Sequence, residues 1–161
     1  MNVLWFKRDL RLTDHAPLAV AIDRDEPLLL LYIVEPSLLR DPHYRGRHWH
    51  FIAQSLQAMN HELAMLGAQI HVLEGEPISL LTALHRLQPI SRLYSHEETG
   101  LGVTFERDRQ VAAFCAAQGI AWHEHQTNGI QRGRRHRRGW NQAWQRVMSD
   151  AEIAVDLTAL P

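Results

Sequence analysis

The chain has 161 residues, of which 45% are hydrophobic and 22% are charged. This composition is typical of a folded domain with its own core and excludes an intrinsically disordered chain. No apolar run reaches the roughly 18 residues that a membrane span needs, and the N-terminus lacks the features of a signal peptide. We therefore expect a cytoplasmic protein without a membrane partner. The single cysteine, Cys115, excludes an internal disulfide and a cysteine-built metal site.

The net charge of −1 hides an uneven distribution along the chain. Residues 1–126 carry 11 basic and 15 acidic side chains, which sum to −4, whereas residues 127–161 carry six arginines and three carboxylates, which sum to +3. The 11 histidines are scattered, and none shows the HxxxH or HExxH spacing that indicates a metal site. We predict no metal.

Residues 1–126 alternate between strand patterns and helix patterns. The five predicted strands are Val3–Phe6, Leu28–Val34, Gln69–Leu73, Ile90–Ser95 and Ile120–Glu124. The first predicted helix follows a cap at Thr13 or Asp14 and has Pro17 in its first turn. The clearest periodicity, in steps of three and four, predicts a helix from Trp49 to Leu66 that Gly67 ends. Two further helices are predicted, from Pro77 to Leu87 and from Thr104 to Gln118.

This alternation predicts a single fold class. Five strands joined by helices require parallel pairing with right-handed crossovers, so we predict an α/β fold with a doubly wound, five-stranded parallel sheet of the Rossmann-like type. Residues 127–161 break the pattern with a turn, a basic cluster at Arg132–Arg138 and a short helical stripe of Trp140, Trp144 and Val147. We predict an α/β domain over 1–126 and a basic linker over 127–161.

A ligand of such a sheet is expected beyond the carboxyl ends of its strands. The loops that gather there are charged: Lys7–Arg11, Glu35–Ser37, Ser95–Gly100 and His125–Gly129. Their side chains could orient a polar aromatic ligand or form ion pairs with one another. The chain lacks GxGxxG, GxxxxGK[ST] and GxSxG, which disfavours dinucleotide hydride transfer, P-loop chemistry and a hydrolase nucleophile.

The segment from Leu4 to His15, which reads LWFKRDLRLTDH, closely resembles the N-terminal signature of the DNA photolyase/cryptochrome family. Further matches occur in register along the chain. They are Leu31–Pro36, the helix with Gln54-Ser55-Leu56, His71–Gly75, Tyr94–Thr99 and Arg107-Asp108, and the segment Gly129–Met148. The resemblance therefore spans nearly the whole chain, and its first motif is highly specific.

The resemblance implies a two-domain flavoprotein whose larger helical domain is absent from these residues. In photolyases that domain holds FAD and receives the damaged base of DNA, and blue light drives an electron from the flavin into a pyrimidine dimer, which splits in a carbon–carbon lyase reaction. The α/β domain commonly contributes an antenna site for a folate, deazaflavin, lumazine or flavin. This chain would then be the antenna-binding domain of a DNA repair enzyme, with damaged DNA and its own FAD-binding domain as partners and no catalytic residue of its own.

Carried over residue by residue, the resemblance implies an antenna site at the same sheet edge. The candidate residues are Arg8, Asp9, Glu35, Pro36, Arg47, Phe51, Glu97, Glu98, Arg107 and Asp108. The basic cluster replaces the short aromatic-proline run of many relatives, so antenna identity does not transfer. Its arginines, candidates for contact with DNA or with the second domain, are Arg132, Arg134, Arg135, Arg137 and Arg138. We favour the interdomain contact.

Two alternatives stay open on the sequence. A cryptochrome photoreceptor would share this domain without repairing DNA, and a stand-alone nucleotide-binding α/β module would have neither function. We favour a piece of a photolyase, since the last segment reads as a linker.

Overall fold

A computed structural model describes all 161 residues and contains one five-stranded parallel sheet. The strands are β1 (Asn2–Phe6), β2 (Leu28–Val34), β3 (Ile70–Glu74), β4 (Arg92–His96) and β5 (Ala121–His125). Their order across the sheet is β3-β2-β1-β4-β5, and every pair of neighbours is parallel. The predicted fold class is confirmed, and each predicted strand lies within two residues of the observed one.

β1 lies at the centre of the sheet, and all five of its residues are buried. Trp5 lies beside Leu31 of β2, and Leu4 lies between Leu30 of β2 and Tyr94 of β4. Because side chains alternate between the two faces of a strand, Leu4 and Phe6 enter one core while Val3 and Trp5 enter the other. This double burial explains the nearly continuous apolar runs of β1 and β2.

Six helices accompany the sheet. They are α1 (Ala16–Ile22), α2 (Pro36–Leu39), α3 (Gly46–Ala64), α4 (Pro77–Leu87), α5 (Gly102–Gln118) and α6 (Trp140–Met148). α1 and α3 cover one face with Leu18, Leu56 and Leu63, and α4 and α5 cover the other with Leu81 and Val111. None of the helices is both long and apolar enough to cross a membrane.

One local expectation was wrong, and one short helix was not predicted. α1 is capped by His15, whose Nδ1 accepts a hydrogen bond from the Leu18 amide, and not by Thr13 or Asp14. The reason is that the imidazole reaches the first turn from the cap position while Asp14 adopts a left-handed φ of 49°. The sequence pattern predicts no helix between Leu28–Val34 and Trp49, whereas Pro36 opens the short helix α2 there.

The last 35 residues stay against the sheet domain. After β5 the chain turns through the basic cluster into α6, and a 3-10 turn at Leu157–Ala159 follows. Val155, Leu157 and Leu160 pack against the core cluster that α1 and α3 cover. The amide of Ile153 donates to Asp14 Oδ1 at 3.1 Å. The boundary at residue 126 between an α/β domain and a linker remains a prediction.

Candidate functional site

A cavity of about 500 Å³ opens at the carboxyl ends of β1 and β2, under the first turns of α3. Its volume lies in the range of small-molecule sites. The apolar part of its lining comprises Phe6, Leu10, Tyr32, Ile33, Leu38, Tyr44, Phe51, Ile52 and Leu101. The polar part comprises Lys7, Arg8, Glu35, His43, Arg47, His48, Glu98 and Arg107. We call it the edge cavity.

The floor of the edge cavity is a buried ion pair between Glu35 and Arg107. Glu35 follows β2, Arg107 lies on α5, and the Arg107 guanidinium donates to Glu35 Oε1 at 2.6 Å. Arg107 also contacts Asp108 Oδ1 at 2.8 Å and Glu98 Oε2 at 3.5 Å. Burial raises the pKa of Glu35 to about 7, although Arg107 pulls that pKa down. Glu35 can therefore accept or donate a hydrogen bond near neutral pH.

Lys7 supplies a second buried cation beside this pair. Its Nζ donates to Asp108 Oδ2 at 3.0 Å. Lys7 and Arg107 also lie over the ring of Trp5, at 5.2 and 4.8 Å from the ring centroid. Burial lowers the pKa of Lys7, and Asp108 opposes that shift. Two cations and their carboxylates thus form one network between the cavity and the sheet.

A salt bridge at 2.7 Å joins two residues of the cavity lining, Arg8 and Glu98. Glu98 is buried, and its Oε1 also accepts the amide of Gly100 at 2.7 Å. A Cβ at Gly100 would lie 2.7 Å from both the Arg8 guanidinium and the Glu98 carboxylate, so this turn favours glycine. The β4–α5 loop is thereby fastened to the loop that follows β1.

Asp9 holds the loop between β1 and α1 in place through hydrogen bonds to three neighbouring residues. Its carboxylate accepts the Lys7 amide at 2.7 Å, His15 Nε2 at 2.9 Å, and His96 Nδ1 from the end of β4. Burial favours a raised pKa, but the hydrogen bonds from the two imidazoles outweigh it and hold the pKa of Asp9 below its ordinary range. Burial also lowers the pKa of His15, which keeps that imidazole neutral.

The ligating atoms of Asp9, His15 and His96 all lie within 4.8 Å of one another, which is close enough for a metal ion. The tautomer of His15 argues against that use. Its Nδ1 accepts the Leu18 amide, so the proton of the neutral ring is on Nε2, the atom that faces Asp9. A metal at Nε2 would need that position deprotonated. The geometry supports a hydrogen-bonded anchor.

The structure brings six of the ten candidate antenna residues into the lining of the edge cavity. These six are Arg8, Glu35, Arg47, Phe51, Glu98 and Arg107. Asp108 supports the floor through Lys7 and Arg107 without lining the cavity, and Pro36 opens α2 behind Glu35. Asp9 and Glu97 line a separate polar recess of about 360 Å³ between the ends of β1, β4 and β5.

Sequence reasoning missed most of the apolar lining. Tyr32 lies near the end of β2, and Leu38 and Tyr44 lie on α2 and the loop after it. The signal for Tyr32 was present, because it comes three residues before Glu35 on a strand that ends at this edge. Leu38 and Tyr44 had no signal, since their position depends on the unpredicted helix α2.

The basic cluster divides into paired and unpaired arginines. Arg132 donates to both oxygens of Glu124 at 2.9 Å and lies 3.6 Å from Asp108. Arg134 is turned back onto its own loop, where it bonds the backbone oxygens of His136 and Arg138. Arg137 lies over the Trp140 ring, at 5.9 Å from the ring centroid. Arg135 and Arg138 are exposed, and their side chains form no ion pair.

Comparison with known proteins adds the decisive observation. A family model described as DNA photolyase matches residues 2–149. The chain belongs to the DNA photolyase family. Its curated relatives include Cryptochrome-2 of Gallus gallus, 27% identical over 120 residues, which cover 74% of this chain and 20% of the relative. Cryptochrome DASH of Gloeobacter violaceus is 28% identical over 119 residues, which cover 68% of this chain and 23% of the relative.

Solved structures of photolyases and cryptochromes share the fold. The archaeal photolyase from Sulfolobus tokodaii, solved with two FAD molecules, aligns with a TM-score of 0.75 and 20% identity, over 95% of this chain and 36% of that chain. The class III photolyase of Agrobacterium tumefaciens aligns with a TM-score of 0.74 and 18% identity, over 93% of this chain and 32% of that chain. Photolyase family membership and fold are thus established, and the chain spans about a fifth of the length of the curated relatives.

Proposed function

We propose that this chain is the antenna-chromophore-binding domain of a light-dependent DNA photolyase. The observation that carries the proposal is the edge cavity, an apolar pocket with a charged floor at the sheet edge where α/β domains bind ligands. The proposal includes FAD, damaged DNA and the carbon–carbon lyase reaction, all as properties of a longer protein. The name of the Sulfolobus tokodaii structure, which refers to a novel light-harvesting cofactor, supports the antenna part.

The lining fits a planar heteroaromatic ring. Phe6, Tyr32 and Tyr44 supply flat apolar surface, and Glu35 and Arg107 place an acceptor and donors at the floor, where they can bond the polar edge of a ring. Arg47 lies on the first turn of α3 and can bind an anionic tail. Such a ring would absorb blue light when bound, and the residues of this chain would hold it, orient it and exclude water.

Chromophore titration tests the proposal. We would titrate this chain with a flavin mononucleotide, a deazaflavin, a reduced folate and a ribityl lumazine, and follow ligand fluorescence. We expect saturable binding of at least one, weakened by Phe51→Ala, which removes a ring from the lining. Phe105→Ala is the matched control, since Phe105 is also exposed but lies outside the edge cavity. Binding of none of the four, with binding of ATP, would support a stand-alone nucleotide module instead.

A cryptochrome photoreceptor is the second candidate, favoured by the curated relatives named cryptochrome. It would use the same cavity, so chromophore binding does not separate the two. Light-dependent splitting of pyrimidine dimers by the longer protein does. Repair under blue light supports the photolyase, and a flavin-loaded protein that leaves the dimers intact supports the photoreceptor.

A further inference from the structure

Trp5 is an oxidisable side chain that lies beside two residues of the edge cavity's lining. Its indole is 1% exposed and lies in the core under α4 and α5. Lys7 and Arg107, which both line the cavity, lie over its ring at 5.2 and 4.8 Å. Each of these two cations therefore lies against the Trp5 ring and also lines the cavity.

An indole at this position could quench the excited state of a light-absorbing ligand by electron transfer. Indole is the most readily oxidised side-chain ring, and an excited heteroaromatic ring is a strong one-electron oxidant. One electron would leave Trp5, forming an indole radical cation, and would enter the excited ligand. Its later return to the indole would regenerate both partners and release the excitation as heat. An antenna that lost its excitation in this way could not pass it on.

We propose that Lys7 and Arg107 suppress this electron transfer by holding the Trp5 ring in a positive potential, which makes Trp5 a poor donor to an excited ligand in the edge cavity. The inference rests on the proposed function. The physical reason is Coulombic, because a radical cation formed about 5 Å from two cations is repelled by both. Burial limits screening by water and salt. Asp108 and Glu35 pair with the same cations, so the experiment measures the net potential at the ring.

The tyrosines that line the cavity are not better electron donors to an excited ligand than Trp5 is. Tyr32 and Tyr44 contact the cavity directly, but a phenol gives up an electron readily only when it also loses its proton. Burial raises the pKa of both phenols, which opposes that loss. Trp5 needs no proton transfer, and both cations lie over its ring, whereas Trp122 has only Lys7 over its ring, at 5.7 Å.

The test places a photo-oxidant in the cavity covalently, so it does not depend on natural chromophore binding. Phe51→Cys introduces a thiol in the exposed part of the lining, while the native Cys115 is buried. A flavin maleimide attached there is the probe. Its emission lifetime and the transient absorption of tryptophan radicals are measured with and without Lys7→Met/Asp108→Asn, which removes one cation together with its partner's charge. Trp5→Phe is added to each background.

We expect Lys7→Met/Asp108→Asn, which leaves Arg107 as the only cation over the ring, to shorten the flavin lifetime several-fold and to yield a tryptophan radical, and we expect Trp5→Phe to restore the lifetime. In the unaltered background, Trp5→Phe should leave the lifetime unchanged. A lifetime that lengthens with Trp5→Phe alone would overturn the inference even if the double variant does not fold. Quenching that is absent from the double variant, or that persists after Trp5→Phe, would overturn it as well. Failure of free chromophores to bind would instead count against the proposed function.

Discussion

Glu35 and Arg107 form a buried ion pair in the lining of the edge cavity, and their charges dominate its floor. Each side chain is under 10% exposed, so neither is well solvated. A buried pair of this kind contributes little net stability, because desolvation of both groups offsets their attraction. The pair can instead orient a ligand, because it presents one hydrogen-bond acceptor and several donors at fixed positions in the cavity.

The raised pKa of Glu35 predicts how stability depends on pH. The ordinary pKa is 4.5 and burial raises it to about 7, so between these values the folded chain holds a proton that the unfolded chain has released. The free energy of unfolding should therefore fall as pH rises through this window, by about 3 kcal/mol from this group. Urea titrations of the wild type and of Glu35→Gln at several pH values measure the effect as their difference.

Glu106→Gln, which removes an exposed carboxylate paired with Arg109, is the control for losing one negative charge. Its stability relative to the wild type should not follow the Glu35 window. A wild type that gains stability over Glu35→Gln as pH rises would show that the attraction of Arg107 outweighs burial.

Asp9 is predicted to be the most sensitive carboxylate for folding. Asp9→Asn places an amide donor opposite His15 and His96, which already donate to this position. We expect a loss of about 3 kcal/mol in the free energy of unfolding, since buried polar groups are left unpaired. Denaturant titration measures it, with Asp23→Asn as the same change on an exposed carboxylate. An equal effect of both variants would contradict the anchoring role.

At the scale of elements, the spacing of apolar residues predicted the five strands and the long helices. It did not predict the cap of α1 or the short helix α2. The middle of the α3 stripe is confirmed by buried Leu56, Met59 and Leu63. Its ends are not, because Trp49 is half-buried beside Tyr44 and Leu66 is 40% exposed beyond the end of the helix at Ala64.

Charged loops predicted the edge of the sheet and contain three of the six predicted lining residues, Arg8, Glu35 and Glu98. The family resemblance supplied Arg47, Phe51 and Arg107. The positions of Leu38 and Tyr44 depend on α2, which has four residues and is too short to produce a periodic signal.

α6 offers a prediction about how the basic segment is held. A Cβ at Gly129 would overlap the Trp144 indole, which stacks with Trp140. Gly129→Ala should displace α6 and increase the rate of tryptic cleavage at Arg135 and Arg138. Gly102→Ala is the matched control, because a Cβ there meets no atom within 4 Å. Equal cleavage rates in both variants would show that Trp144 does not hold α6 in place.

At the scale of the molecule, the arginines test whether this domain contacts DNA. Arg132 and Arg134 bond the domain's own carboxylates and backbone, and Arg137 lies over the Trp140 ring, which leaves Arg135 and Arg138 as the exposed cations of the cluster without such a partner. Because we favour a contact of these arginines with the second domain over a contact with DNA, we expect Arg135→Gln/Arg138→Gln to leave the salt dependence of duplex DNA binding by the longer protein unchanged. Arg24→Gln/Arg86→Gln is the control. A slope smaller by about one unit per arginine would place them on phosphates.

The central position of β1 has a consequence for synthesis. β1 pairs with β2 within the first 34 residues, but its other edge meets β4 only when residues 92–94 exist. A ribosome needs about 1 to 4 s to add the residues between the end of β3 and β4. During that interval a nascent three-stranded sheet would expose the open edge of β1, a strand that is fully buried in the finished fold, and such an edge is a template for pairing with another chain. The growing polypeptide therefore passes through a stage at which chaperones have an edge to protect.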